Sequence, residues 1–89
     1  MEEEAKECSI YPNPISRTGM LNVHYFVEQV NNEFEILDIH SIVVLRVKRD
    51  LSTGAWHTIQ IDVSDLSEGT YILIDHEGDI NHSLNFSVL

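Results

Sequence analysis

Short stretches of the chain alternate apolar and polar residues, which is the pattern of β-strands with one buried face. In the two clearest stretches, every second residue is apolar: Leu21, Val23, Tyr25 and Val27 in one, Ile59, Ile61 and Val63 in the other. Turn residues separate such stretches about every 8–12 positions, a spacing typical of antiparallel sandwiches. We therefore predict an all-β fold, an immunoglobulin-like antiparallel β-sandwich of about seven strands.

The length of the chain permits one domain with a modest core. The chain has 89 residues, of which 43% are hydrophobic, and a chain of this size usually forms one domain. We expect residues 1–7 to be a flexible acidic lead and residues 8–89 to be a single β-sandwich domain. Cys8 is the only cysteine, so no internal disulfide can stabilise the fold.

The strongly acidic composition excludes several classes of partner. Fifteen acidic and five basic residues give a formal net charge of −10, so no basic face is available for nucleic acid. No apolar run approaches the ~20 residues of a membrane span, and we expect no membrane insertion. The start Met1-Glu2-Glu3-Glu4 is the opposite of a basic signal-peptide region. The sequence therefore fits a cytosolic protein or a piece of a longer secreted chain.

Residues with catalytic or metal-binding potential do not form a recognisable motif. The five histidines lack the spacing of a metal site. Asp75–Asp79 is an acidic turn around a glycine, with a weak calcium site as the alternative reading. Ser64, Asp62 and His57 supply the residue types of a hydrolase triad, but no G-x-S-x-G elbow is present. We predict a protein that is not an enzyme and has no cofactor or metal.

Two aromatic residues suggest a ligand face. An exposed Trp56 on a sandwich can stack on sugar rings, and Phe26 would supply a second ring if the two strands adjoin. The alternative is that Trp56 caps the core at the start of a strand.

Two local predictions concern turns and strand edges. We expect a turn at Val30–Glu33, since asparagine tolerates positive φ, and a central strand at Ile42–Lys48, whose first residues are nearly all apolar. Charged residues cluster at the end of that strand, where they would protect an edge or mark a docking surface: Arg46, Lys48, Arg49 and Asp50.

Two motifs, in a fixed order, resemble one known family. Tyr11-Pro12-Asn13-Pro14 must end the first strand, because proline cannot donate to a β-ladder and restricts the residue before it. About fifty residues later, Ile59–Leu73 reads as a strand, a tight turn containing Leu66 and Gly69, and a second strand containing Tyr71. This pair is similar to the type A C-terminal sorting domain of the type IX secretion system, found in secreted proteins of the Bacteroidetes.

The resemblance implies a fold and a function. It implies a small β-sandwich that sorts or anchors a cargo protein without catalysis, with the outer-membrane secretion machinery as its protein partner. It also implies a secreted or cell-surface location as part of a longer chain. The alternative is a stand-alone β-sandwich that binds carbohydrate or protein at the cell surface. Ser41 stands where the family usually has glycine, so we expect that turn to use a different conformation.

Overall fold

The computed structural model describes residues 8–16, 19–28, 31–77 and 80–89. These residues contain no helix and form seven strands: β1 (Ser9–Tyr11), β2 (Met20–Val27), β3 (Asn31–Leu37), β4 (Val43–Asp50), β5 (Ala55–Asp62), β6 (Gly69–Glu77) and β7 (Ile80–Val88). The predicted all-β fold is confirmed. The acidic lead, residues 1–7, lies outside the described residues.

The strands form two antiparallel sheets that pack face to face. One sheet has the order β1-β2-β5 and the other the order β4-β3-β6-β7. Every pair of neighbouring strands within a sheet is antiparallel. This division of consecutive strands between two sheets is the arrangement of an immunoglobulin-like sandwich. The predicted antiparallel sandwich is therefore confirmed.

The core lies between the sheets and follows the alternation in the sequence. Along β2, the odd-numbered residues from Leu21 to Val27 are buried, while the even-numbered residues between them are only partly buried. The two sheets meet where the Tyr25 ring packs edge-to-face on Phe34, with ring centroids 4.9 Å apart. Such aromatic pairs stabilise a core by about 0.5–1.5 kcal/mol beyond the area they bury.

Two local predictions are wrong. The expected turn at Val30–Glu33 is largely strand, because β3 begins at Asn31 and pairs with β4 from that residue onward; Val30 lies outside the described residues. The expected central strand at Ile42–Lys48 is an edge strand, because β4 pairs with β3 alone. Its residues alternate between half-buried and exposed instead of being buried on both faces.

Candidate functional site

The Tyr-Pro-Asn-Pro segment carries the chain from one sheet to the other. Tyr11 ends β1 and lies opposite Asn22 of β2. Four residues later, Ile15 is buried and forms a parallel bridge with Val88 of β7, in the facing sheet. The peptide bonds before Pro12 and Pro14 are both cis. The motif is therefore the crossover that brings the start of the domain to its last strand.

The side chain of Asn13 bonds to the free edge of β7. Its Nδ2 donates to the carbonyl oxygen of Asn85 at 3.1 Å, and its Oδ1 accepts from the backbone N–H of Ser87 at 3.1 Å. Ile15 continues the contact, donating to the Ser87 carbonyl at 2.8 Å and accepting from the Leu89 N–H at 2.9 Å. Asn13 and Ile15 together bond to the C-terminal half of this edge.

The rest of the motif is exposed. The Tyr11 side chain is 48% exposed and Leu89, at the other end of the same contact, is 61% exposed. Pro12 and Pro14 are exposed as well. We call five exposed residues in the crossover, on β7 and just after β7 the motif surface: Tyr11, Pro12, Pro14, Asn85 and Leu89.

The second motif forms the turn between β5 and β6, and its role is internal. Leu66 is buried, and its N–H donates to the Val63 carbonyl at 3.0 Å. The Tyr71 hydroxyl donates to the Ser67 carbonyl at 2.7 Å. A tyrosine that reaches back across this corner is a feature of immunoglobulin-like sandwiches. Gly69 has a φ of +156°, which residues with a Cβ rarely adopt.

A side-chain bond fixes the start of the same turn. The Ser64 hydroxyl and the Ser64 N–H both donate to Asp62, the N–H at 2.9 Å, and these bonds lower the pKa of Asp62. The His57 Nε2 donates instead to the Ser52 carbonyl at 2.9 Å. His57 therefore bonds to a residue outside the Ser64–Asp62 pair, and the three residues do not have the arrangement of a hydrolase triad.

The turn between β3 and β4 holds a serine at a positive φ. Ser41 has a φ of +63°, in the left-handed region that glycine adopts most readily. Asp38 holds this geometry, since its Oδ1 accepts from the N–H of His40 at 2.8 Å and of Ile42 at 3.1 Å. Ser41 therefore adopts a backbone conformation that glycine adopts most readily.

Phe26 and Trp56 are neighbours on the outer face of the first sheet. They lie opposite each other on β2 and β5, with ring centroids 5.7 Å apart and an interplanar angle of 75°. His24 stacks on Trp56 at 4.9 Å with an angle of 10°. The two rings are close, as the sequence suggested, but they are not coplanar. Sequence reasoning missed His24, although it stands two residues before Phe26 on the same face.

The predicted acidic turn is partly strand. Asp75 and Glu77 belong to β6, and Asp75 is buried. Asp79 lies outside the described residues. Within the described ranges, no three acidic, histidine or cysteine residues are grouped to hold a metal ion. The same ranges contain no helix long and apolar enough to cross a membrane.

A charged cluster joins three strands on the outer face of the second sheet. Glu35 of β3 accepts from the Arg46 Nε of β4 at 2.8 Å and from the His76 Nε2 of β6 at 2.6 Å. The hydrogen bond from Arg46, followed by that from His76, lowers the pKa of Glu35.

Comparison with known proteins identifies the family. A search of curated proteins finds no match. The family described as the secretion system C-terminal sorting domain matches residues 9–86. The match covers both motifs and six of the seven strands in full, together with most of β7. The family is a non-catalytic signal domain of type IX secretion, borne by secreted or cell-surface proteins as part of a longer chain. The chain belongs to the family of type IX secretion system C-terminal sorting domains.

Proposed function

We propose that this domain directs a cargo protein through the outer-membrane type IX translocon, and that the translocon recognises the motif surface. The observation that carries the proposal is the pair of hydrogen bonds from Asn13 to Asn85 and Ser87. They join a motif near the start of the domain to its last strand. Both ends of the domain therefore contribute to one surface.

The difference between buried and exposed motif residues supports the motif surface as the place of recognition. Leu66 and Tyr71 are buried and stabilise the fold. Tyr11 is different, because nearly half of its side chain faces solvent while its backbone carbonyl accepts from Asn22 Nδ2 at 3.2 Å. An exposed tyrosine beside two rigid prolines supplies apolar area with little loss of entropy on binding, as the anchor residues of interfaces do.

The test is an export assay with a matched pair of variants. Residues 8–89 are fused behind a signal peptide and a reporter in a host that has a type IX system. Tyr11→Ala should lower the amount of exported reporter by about tenfold, the usual effect of removing an interface anchor. Trp56→Ala is the control, because Trp56 is a large aromatic residue with the same exposed fraction, 48%.

Thermal unfolding of both variants shows whether the fold is intact. Export at the wild-type level with Tyr11→Ala would place recognition elsewhere on the domain. Retention of the unchanged fusion in the periplasm would refute the sorting function itself.

The alternative, a stand-alone carbohydrate-binding module, has less support. Sugar platforms normally use coplanar aromatic rings, whereas Phe26 and Trp56 are inclined at 75° and His24 stacks on Trp56. Trp56 fluorescence during titration with a panel of polysaccharides tests this alternative directly. An unchanged spectrum would exclude it.

A further inference from the structure

The two sheets of the sandwich have four edge strands, and three of these strands are protected against pairing with another chain. The unpaired N–H and C=O groups of an edge strand can pair with a strand of another chain. Natural proteins protect such edges with short strands, charges or covering segments. β1 has only three residues and is followed directly by Pro12. The C-terminal half of β7 is bonded to Asn13 and Ile15. β4 carries three of the five basic residues of the chain: Arg46, Lys48 and Arg49.

Within the part of the chain that the structure describes, the fourth edge, β5, has none of these protections. It is eight residues long, Ala55–Asp62, and contains no lysine, arginine, proline or glycine. It pairs with β2 on one side and stands at the end of its sheet. Its only acidic side chain is Asp62, at its last position. A long, nearly uncharged edge is the surface on which a strand from another chain is added.

A cleft lies beside the end of this edge. It has a volume of about 250 Å³ and separates the end of β5 from the start of β4. Leu45, Leu66 and Tyr71 contribute apolar or aromatic surface, and Val44, which is 40% exposed, lies at its border. We call this the side cleft. It is smaller than the usual pocket of a drug-sized ligand, so it suits a single side chain.

The charges beside the side cleft specify the partner further. Asp62 and Asp65 both line it, and the hydrogen bonds from Ser64 lower the pKa of Asp62. The domain as a whole has a net charge of −10. Exposed apolar residues continue from Val44 to Ile42, which is 58% exposed. A complementary segment therefore carries both basic and apolar side chains.

We propose that β5 accepts an extended segment of a partner protein as an added strand, with alternating basic and apolar side chains, one apolar side chain entering the side cleft. Backbone hydrogen bonds to the β5 edge provide the affinity, and the side cleft with Asp62 and Asp65 provides the specificity. This interaction goes beyond the sorting function and does not depend on it, since it concerns the opposite edge of the first sheet from β1.

The test uses a synthetic probe and the whole chain. The probe is a fluorescein-labelled peptide of alternating lysine and valine, as long as β5, whose anisotropy is measured as protein is added. The expected result is saturable binding that the matching glutamate–valine peptide does not show. Equal binding of the two peptides, or no binding of the lysine–valine peptide, overturns the proposal.

Two further measurements identify the mode and the place of binding. Because alternate residues of a strand face the same neighbour, N-methylation of one set of alternate peptide nitrogens should abolish binding, and methylation of the other set should not. Val44→Lys should weaken binding by about tenfold or more through like-charge repulsion. Ser83→Lys on β7 adds the same charge at another edge and should have little effect.

Two outcomes contradict strand addition at β5. If both N-methylated peptides bind as well as the parent, the contact does not use the backbone. If sedimentation equilibrium shows that the domain dimerises and that the dimer excludes the peptide, the occupant of the edge is a second copy of the chain.

Discussion

Ser41 shows how one residue can carry strain that its neighbours hold in place. Its φ of +63° costs a residue with a Cβ about 1 kcal/mol or more, whereas glycine adopts this region freely. Four hydrogen bonds fix the turn. Two go to Asp38 Oδ1, one runs from the Ser41 N–H to the Asp38 carbonyl at 3.0 Å, and one runs from the Asp38 N–H to the Ile42 carbonyl at 3.0 Å. The turn therefore keeps a conformation suited to glycine while carrying serine.

Ser41→Gly should stabilise the domain. Relief of the left-handed strain outweighs the greater freedom that glycine gives the unfolded chain, so the free energy of unfolding should rise by about 0.5–1 kcal/mol. Urea denaturation measures the change. Gly54→Ala is the matched opposite, since Gly54 has a φ of +78° and an added Cβ would meet nothing within 4 Å. It should lower the stability by about 1 kcal/mol. A destabilised Ser41→Gly variant would show that the serine is not strained.

For single residues, the sequence predicts those that pack in the core better than those that form long-range hydrogen bonds. The motif turn indicated Leu66 and Tyr71, and the structure buries both. The role of Asn13 is different, because its partners Asn85 and Ser87 are more than seventy residues away along the chain. A local sequence pattern cannot connect residues that are so far apart along the chain. Only the fold reveals why an asparagine stands between the two prolines.

Among the strands, the reliable sequence signal is alternation, and composition can mislead. Alternation predicted the buried face of β2 residue by residue. The two failures came from composition. Asn31 and Asn32 are common turn residues, yet the pairing of β3 with β4 draws them into a strand, where Asn32 is buried. The apolar start of β4 suggested a central strand, but only every second residue of this edge strand packs towards the core.

Asn13→Ala should open the edge of β7. Two hydrogen bonds are lost, and at the usual net value for exposed bonds the free energy of unfolding should fall by about 1–2 kcal/mol. The Ser87 N–H should also exchange faster with solvent than in the wild type. Asn85→Ala is the control, because the structure uses the Asn85 carbonyl rather than its side chain in this contact. Its stability should stay within about 0.5 kcal/mol of the wild type. Unchanged exchange at Ser87 in Asn13→Ala would contradict the proposed edge contact.

The whole molecule is a sandwich in which the segment that follows the first strand meets the last strand. The fold class and the approximate number of strands could be predicted from period-two alternation and the spacing of turns. The order of strands within the sheets could not, because β1 pairs with β2 while Ile15 pairs with β7 across nearly the full chain. The Tyr-Pro-Asn-Pro segment therefore gains its long-range contacts only in the complete fold, where Asn13 and β7 are adjacent.

The response of the whole domain to acid should depend on the Glu35 cluster. Its hydrogen bonds with Arg46 and His76 connect β4, β3 and β6, and they lower the pKa of Glu35 in the folded state. A carboxylate with a lowered pKa stabilises the fold above its unfolded pKa, about 4.3. That contribution disappears as the pH falls through the folded value. The wild type should therefore lose stability below about pH 4, in addition to any general effect of acid.

Glu35→Gln isolates this contribution. The variant should be less stable than the wild type at neutral pH. The difference should close as the pH falls through the lowered folded pKa of Glu35, because both proteins then carry a neutral group at this position. Urea denaturation across the pH range measures the gap. Arg46→Gln keeps the carboxylate but removes the partner with the largest effect on its pKa, so the gap between this variant and the wild type should also close in acid. Parallel curves for wild type and Glu35→Gln at every pH would show that the cluster does not couple protonation to folding.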